Sequence, residues 1–158
     1  IADYWIFDFL ASNFETTSKL ATRRLAKALL AASSEKLLHL EVKEELIAFA
    51  TLSRKLDGQR VSVRQLVERY NLSTTTRDVL IKQLPAQLLA EEIFLLDGEE
   101  FAQNVAYRTV EIDNGAILTA PQNQFDRCFS KKIIDDNMKI VEYTTQGQIA
   151  DERMKGRK

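Results

Sequence analysis

The spacing of apolar residues changes once along this chain, and that change limits the possible folds more than any other feature. Up to Leu84 apolar side chains recur at helical intervals, whereas beyond Tyr107 they alternate as in strands. Helices followed by hairpins predict an α+β fold: N-terminal helices with a helix-turn-helix-like pair, then C-terminal β-hairpins in a winged-helix-like arrangement. We expect a helical segment over 1–58 and the pair with the hairpins over 59–158, together one compact unit cut from a longer protein.

Two strong helical patterns precede the helix-turn-helix-like pair. Residues 16–18 offer N-caps to "KLATRRLAKALLAA", in which Leu25, Ala28 and Leu29 share one face. The next stretch, "EKLLHLEVKEELIAFATLSRKL", carries a continuous apolar stripe. That stretch is either one long helix or two helices with a break near His39 and Leu40.

The segment "VRQLVERYNLSTTTRDVLIKQL" has the spacing of two short helices joined by a tight turn. Ser62 and Ser73 are placed to cap the first and second helices, and Asn71 is the residue best suited to a left-handed corner. Pro85 ends the second helix. The same spacing fits a DNA-reading motif, whose second helix enters the major groove, and two helices that merely pack together.

The C-terminal part predicts two hairpins. "YRTVEIDNGAILTAP" has strand-like residues on both sides of Asn114-Gly115, a pair typical of a type I′ turn. "MKIVEYTT" and "QIADERM" flank Gln146-Gly147 and predict the second hairpin, before a basic tail.

The chain lacks the residues that most catalytic and metal sites need. Cys128 is its only cysteine and His39 its only histidine, which excludes an internal disulfide and a zinc site made of several thiolates. We expect Cys128 to be a buried apolar thiol in a protein of the reducing cytoplasm. No apolar run reaches the roughly 20 residues of a membrane span. The sequence predicts no enzyme, cofactor or metal.

Charge is unevenly distributed although its sum is only −1. Residues 91–126 hold one basic and eight acidic groups, and the segments on both sides are more basic. Once folded, the cations either gather on one basic face or form an ordinary solvated surface. The candidate DNA contacts lie on two helices and at the C-terminal end: Arg23, Arg24, Lys27, Thr75, Arg77, Lys82, Lys131, Lys132, Lys155 and Arg157.

Two stretches resemble the C-terminal half of the bacterial nucleoid-associated protein family. "ADYWIFDFLASNF" is similar to the aromatic Phe-Leu segment that opens that half, with Ala11 where members often have glycine. "VEIDNGAILTAPQNQFDRCF" and "MKIVEYTTQGQIADERMKG" resemble the family's closing strands and basic end. The resemblance implies a cytoplasmic, nucleoid-located protein that binds double-stranded DNA without catalysis, and it supplies no base-reading residues.

Two functions therefore stay open. The first is a DNA-binding module whose cations contact phosphates, so that its affinity falls as salt rises. The alternative is an interaction or oligomerisation module, in which helices over 3–14 and 35–56 bury their apolar stripes against a partner subunit or the missing N-terminal half.

Overall fold

The computed structural model describes the backbone of residues 2–156 and the side chains of residues 17–156. Over this range the fold is α+β, as predicted, with six helices and three two-stranded antiparallel sheets. The helices are α1 (Ala2–Ser33), α2 (Leu40–Ser53), α3 (Val63–Arg69), α4 (Thr74–Lys82), α5 (Gly98–Asn104) and α6 (Phe125–Cys128). The strands are β1 (Arg60–Val61), β2 (Phe94–Leu95), β3 (Tyr107–Glu111), β4 (Ile117–Pro121), β5 (Ser130–Asp135) and β6 (Ile140–Thr144).

The first two helices differ from expectation at one boundary and agree at another. Helix α1 runs without interruption from Ala2 to Ser33, so the helix start predicted at residues 16–18 is wrong. A Ser or Thr inside a helix costs less than about 1 kcal/mol, which the surrounding strong helix formers offset. Helix α2 begins at Leu40, with His39 at its N-cap, and residues 34–39 form turns, so neither of the two alternatives for this stretch is correct. The far end agrees, because a 3-10 turn over Arg54–Leu56 follows α2 and closes the predicted stretch.

One hydrophobic core joins the helices of the N-terminal part. Its largest fully buried side chains are Phe49, Phe101, Leu25, Leu46 and Leu80, which come from four different helices. The apolar face predicted for the first helical pattern is buried there, and so are Val42, Leu46 and Phe49 of the α2 stripe, while Leu52 is exposed. The interaction hypothesis loses most of this stripe as a docking surface, while the side chains of 3–14 lie outside the described residues.

Strands β1 and β2 and two polar contacts fasten α5 to the rest of this core. The ladder pairs Val61 with Phe94, which is the buried residue of β2. The Thr22 hydroxyl of α1 accepts the Asp97 N–H at 3.0 Å. The Gly98 N–H donates to the Asp57 carboxylate at 2.7 Å, and a Cβ on Gly98 would lie 2.9 Å from the Asp57 Cβ. Only glycine permits this approach.

Hairpin β3–β4 forms where the sequence places it, but its turn is not type I′. A type I′ turn needs positive φ at both central residues, and only Gly115 has it, at 93°. Its N–H donates to the Ile112 carbonyl at 3.0 Å, and the Ile112 N–H donates to the Ala116 carbonyl at 2.9 Å. These bonds define a three-residue loop closed by a left-handed glycine. The Asn114 side chain instead accepts the Ala116 N–H at 2.9 Å.

The second hairpin uses a different partner strand from the predicted one. Strand β6 pairs with β5, which precedes it, while residues 145–156 have no helix or strand. The Asp135 carboxylate accepts the N–H groups of Asn137 and Met138 at 3.0 and 3.2 Å, which closes the turn. Lys139 completes the turn with a φ of 55°. The register skips one residue between Ile133 and Asp135, a β-bulge.

The chain divides into two compact units, Ile1–Ala106 and Tyr107–Lys158, hereafter the N-terminal and C-terminal units. The boundary therefore follows the change from helices to hairpins and not residue 58. The helix-turn-helix-like pair shares a core with α1 and α2, whereas both hairpins belong to the other unit. No described helix has the length and hydropathy to cross a bilayer.

An aromatic cluster links the two hairpins within the C-terminal unit. Phe125 of α6 packs against Phe129 and Tyr143, with ring centroids 5.0 and 6.2 Å apart. The Arg108 guanidinium of β3 stacks over the Phe125 ring at 4.4 Å and donates to Asp126 at 3.2 Å. Cys128 beside this cluster is exposed, so its predicted burial is wrong.

Candidate nucleic-acid interface

The helix-turn-helix-like pair, α3 and α4, has the caps and corner that its sequence predicts. The Ser62 hydroxyl accepts the Gln65 N–H at 3.1 Å, and the Ser73 hydroxyl accepts the Thr76 N–H at 3.3 Å. Asn71 adopts a φ of 51°, one of two positive values among the described non-glycine residues. A left-handed residue at this corner lets the chain reverse direction between two short helices.

The pair is held on α2 by apolar contacts. Leu66, Val67 and Leu80 are buried, and Leu72 packs in part against the same core. The Tyr70 ring meets Phe49 of α2 edge-on, with centroids 5.9 Å apart. Val67 occupies a position where the motif usually has alanine, and the core accommodates the larger side chain. Packing therefore fixes the orientation of α4 and leaves its polar face outward.

The N-terminus of α4 already has an anion beside it. The Glu45 carboxylate of α2 accepts the Ser73 backbone N–H at 3.0 Å. Desolvation raises the pKa of Glu45, but hydrogen bonds from the Ser73 N–H and from the Thr76 and Ser73 hydroxyls outweigh it, and the pKa is lowered. Glu45 is therefore ionised at neutral pH, close to where a phosphate would meet the helix dipole. The sequence pattern did not identify this residue.

The predicted contacts on α4 differ in their exposure and in whether a carboxylate lies close to them. Thr75 and Lys82 are exposed, and Lys82 has no carboxylate within ion-pair distance among the described residues. The Arg77 Nε lies 3.6 Å from the Asp78 carboxylate, so its charge is partly answered by its neighbour. Thr75 and Lys82 are thus the two groups of this helix most available to phosphates.

The predicted cationic face of α1 is largely neutralised. The Arg23 Nε donates to Glu100 at 2.6 Å, and the Arg24 Nη1 donates to Glu92 at 2.6 Å. The Arg23 hydrogen bond lowers the pKa of Glu100, which desolvation raises to a smaller extent. Only Lys27 on this helix is an exposed candidate without an ion pair among those found in residues 17–156.

The acidic segment 91–100 is therefore the internal counter-charge of the N-terminal unit. Besides the two pairs with α1, the Arg64 Nε of α3 bonds to the Glu91 carboxylate. The uneven charge along the sequence could have indicated these pairs. An acidic segment between basic segments can form ion pairs with them, and the same pattern can leave a basic face exposed. Arg23 and Arg24 are each paired with a carboxylate, and their role in DNA binding stays a prediction.

The basic groups of the C-terminal unit are more open. Lys131 and Lys132 are exposed on β5, and Lys155 is exposed in the irregular segment after β6. The salt bridges found in this unit use Arg108, Lys139 and Arg153, with carboxylates at 3.2, 3.5 and 3.2 Å. Arg157 and Lys158 lie outside the described residues. The candidates that stay free are therefore mainly lysines, distributed over both units.

Other chemistry finds little support in the described range. His39 is exposed, and its side chain forms no cap hydrogen bond with α2. Among residues 17–156, no three His, Cys, Asp or Glu side chains are grouped as metal ligands would be. Comparisons with protein-family models, with curated proteins and with solved structures return no match. The family resemblance stays a prediction.

Proposed function

We propose that this chain is a non-enzymatic module that binds double-stranded DNA, mainly through phosphates, as the C-terminal half of a nucleoid-associated protein. The observation that carries the proposal is the formed helix-turn-helix-like pair, with Asn71 left-handed at its corner and Thr75 and Lys82 exposed on α4. Lysines without carboxylate partners on α1 and β5 supply further positive charge: Lys27, Lys131 and Lys132.

The proposed contact is sequence-independent. The Thr75 hydroxyl donates to a phosphate oxygen, and Lys82 neutralises a phosphate further along the backbone. Base reading is a minor part, because the exposed start of α4 carries Thr74, Thr75 and Asp78 and lacks a free arginine. Each phosphate neutralised releases counterions, so the affinity falls with salt in proportion to the number of contacts.

The proposed arrangement is a variant of the winged helix. Its order of elements is α2, β1, α3, α4 and β2, with β1 and β2 paired antiparallel. In this variant β2 leads into α5. The hairpins that the sequence predicts as wings belong to the C-terminal unit.

Binding of a labelled DNA duplex at about 50 mM and about 200 mM salt tests this function. We expect measurable affinity at the lower salt, and Lys82→Gln to reduce the slope of log affinity against log salt by about 0.9. Lys55→Gln is the matched control, because it removes the same charge from an exposed position outside the pair. Absence of binding at the lower salt, or equal slopes for the two variants, contradicts the proposal.

A second candidate function, protein interaction or oligomerisation, is favoured by the C-terminal unit. Large apolar side chains are exposed there on both hairpins: Tyr107, Ile117, Ile133, Ile134, Met138 and Ile140. Where such side chains are contiguous, they form a docking surface. Sedimentation of the chain without DNA over a wide concentration range tests it, and a monomer at every concentration argues against self-association.

A further inference from the structure

Strand β5 has an edge without a partner strand. Within residues 2–156 it pairs only with β6, in a sheet of two strands. Its Ile133 and Ile134 side chains are 58% and 53% exposed. A two-stranded hairpin is marginally stable in water, and further strands stabilise it. The open edge of β5 therefore has both the backbone groups and the apolar side chains that a third strand needs.

The register of β5 on β6 decides which of its side chains share a face. Ser130 pairs with Thr144, Lys132 with Glu142 and Asp135 with Ile140. The three β6 residues are two positions apart, so they and their partners lie on one face. The bulge between Ile133 and Asp135 thus places Asp135 on the same face as Lys132, although the two residues are three positions apart.

We propose that β5 pairs antiparallel with β5 of a second copy of this chain, about a two-fold axis at Ile133. If the bulge that skips Ile134 on β6 is kept on this edge, Lys132 lies opposite Asp135 of the other copy, twice over the interface. The two Ile133 side chains meet at the axis. This surface deepens the second candidate function and rests on it; it shares Lys132 with the proposed phosphate contacts, so dimerisation is measured without DNA.

The charges select β5 among the four strands of the C-terminal unit. Strand β6 centred on Glu142 would oppose two like charges. In β3 the charged residues Arg108 and Glu111 lie on opposite faces, because they are three positions apart without a bulge. Strand β4 has no charged residue and ends at Pro121, which lacks an N–H donor. Lysine on an edge strand disfavours pairing with other strands, whereas Asp135 of a second β5 neutralises its charge.

Sedimentation of the full chain without DNA tests the pairing. We expect a dimer, and Lys132→Asp to raise its dissociation constant at least about tenfold, because two attractive pairs become repulsive. Mixing Lys132→Asp with Asp135→Lys is expected to restore a heterodimer. Lys155→Asp, the same change at an exposed site outside β5, is the control and leaves the dimer unchanged. A monomeric parent chain, or a dimer insensitive to Lys132→Asp, overturns the proposal.

A cross-link keeps the test decisive if Asp135→Lys opens the turn that Asp135 closes. In a Cys128→Ser background, Ile133→Cys is expected to form a disulfide-linked dimer under mild oxidation. Ile117→Cys in the same background is the control, because Ile117 is 68% exposed on β4. Equal cross-linking of the two variants overturns the proposal. Loss of DNA binding with an intact dimer contradicts only the DNA function.

Discussion

The two units of this chain differ in how completely each buries its own apolar residues. The N-terminal unit closes a core from α1 to α5 and ties distant segments with ion pairs, such as Arg23 with Glu100. Among its described residues, the C-terminal unit buries only Ala120, Gln122 and Phe125. Its hairpins keep open edges and exposed isoleucines. One unit thus buries its apolar side chains in a core, and the other leaves apolar side chains and strand edges exposed.

The difference in burial between the two units is tested most strongly by truncating a large side chain in the N-terminal core. Phe101→Ala removes a fully buried ring, so we expect the free energy of unfolding of that unit to fall by about 3–5 kcal/mol. Chemical denaturation followed by circular dichroism measures the loss. Hydrogen exchange at β3 and β5 should stay unchanged, and a matching loss of protection there would show that the units unfold together.

The matched change in the C-terminal unit is Phe125→Ala. Phe125 is also fully buried, and the rings of Phe129 and Tyr143 pack against it. The strands beside these rings are exposed and can collapse into the space that the mutation leaves. We expect a loss of about 3 kcal/mol or less. Hydrogen exchange of the β3 and β5 amides measures it. A loss larger than that of Phe101→Ala would contradict the contrast between the units.

A smaller effect is expected at the corner between α3 and α4. Asn71→Ala places a residue with a Cβ but no amide at a φ of 51°, so the N-terminal unit loses about 1 kcal/mol. Asn71→Gly accepts the same φ and serves as the control. Thermal unfolding separates the two variants. Equal melting temperatures would mean that the corner does not depend on the left-handed residue.

The smallest effect at neutral pH concerns Glu100. Its pKa is lowered, first by the hydrogen bond from Arg23, so the folded state favours the ionised carboxylate. The resulting stability is present above the usual glutamate pKa of about 4.3 and is lost as the pH falls below it. Glu100→Gln should therefore lose less stability on acidification than the parent chain. Melting temperatures measured between neutral pH and about pH 3 test this.

Local patterns predicted the caps and the corner of α3 and α4, and packing decided much of the rest. Ser62, Asn71 and Ser73 have the predicted roles because each depends on neighbouring backbone groups alone. Charge assignments failed where partners lie far apart in sequence: the Arg23 and Glu100 pair spans 77 positions. The partner of β6 was also misassigned, because "SKKIID" does not alternate and its bulge is visible only in the register.

If α4 contacts DNA as proposed above, Glu45 gives that contact a selectivity that neither helix alone would have. Its carboxylate bonds the Ser73 N–H, so an incoming anion must tolerate or displace a negative charge held by three hydrogen-bond donors. A free phosphate or a mononucleotide brings too few contacts to offset that repulsion. A duplex can offset it, because phosphates on either side engage lysines elsewhere on the surface. A resident glutamate thereby favours polymers over their monomers.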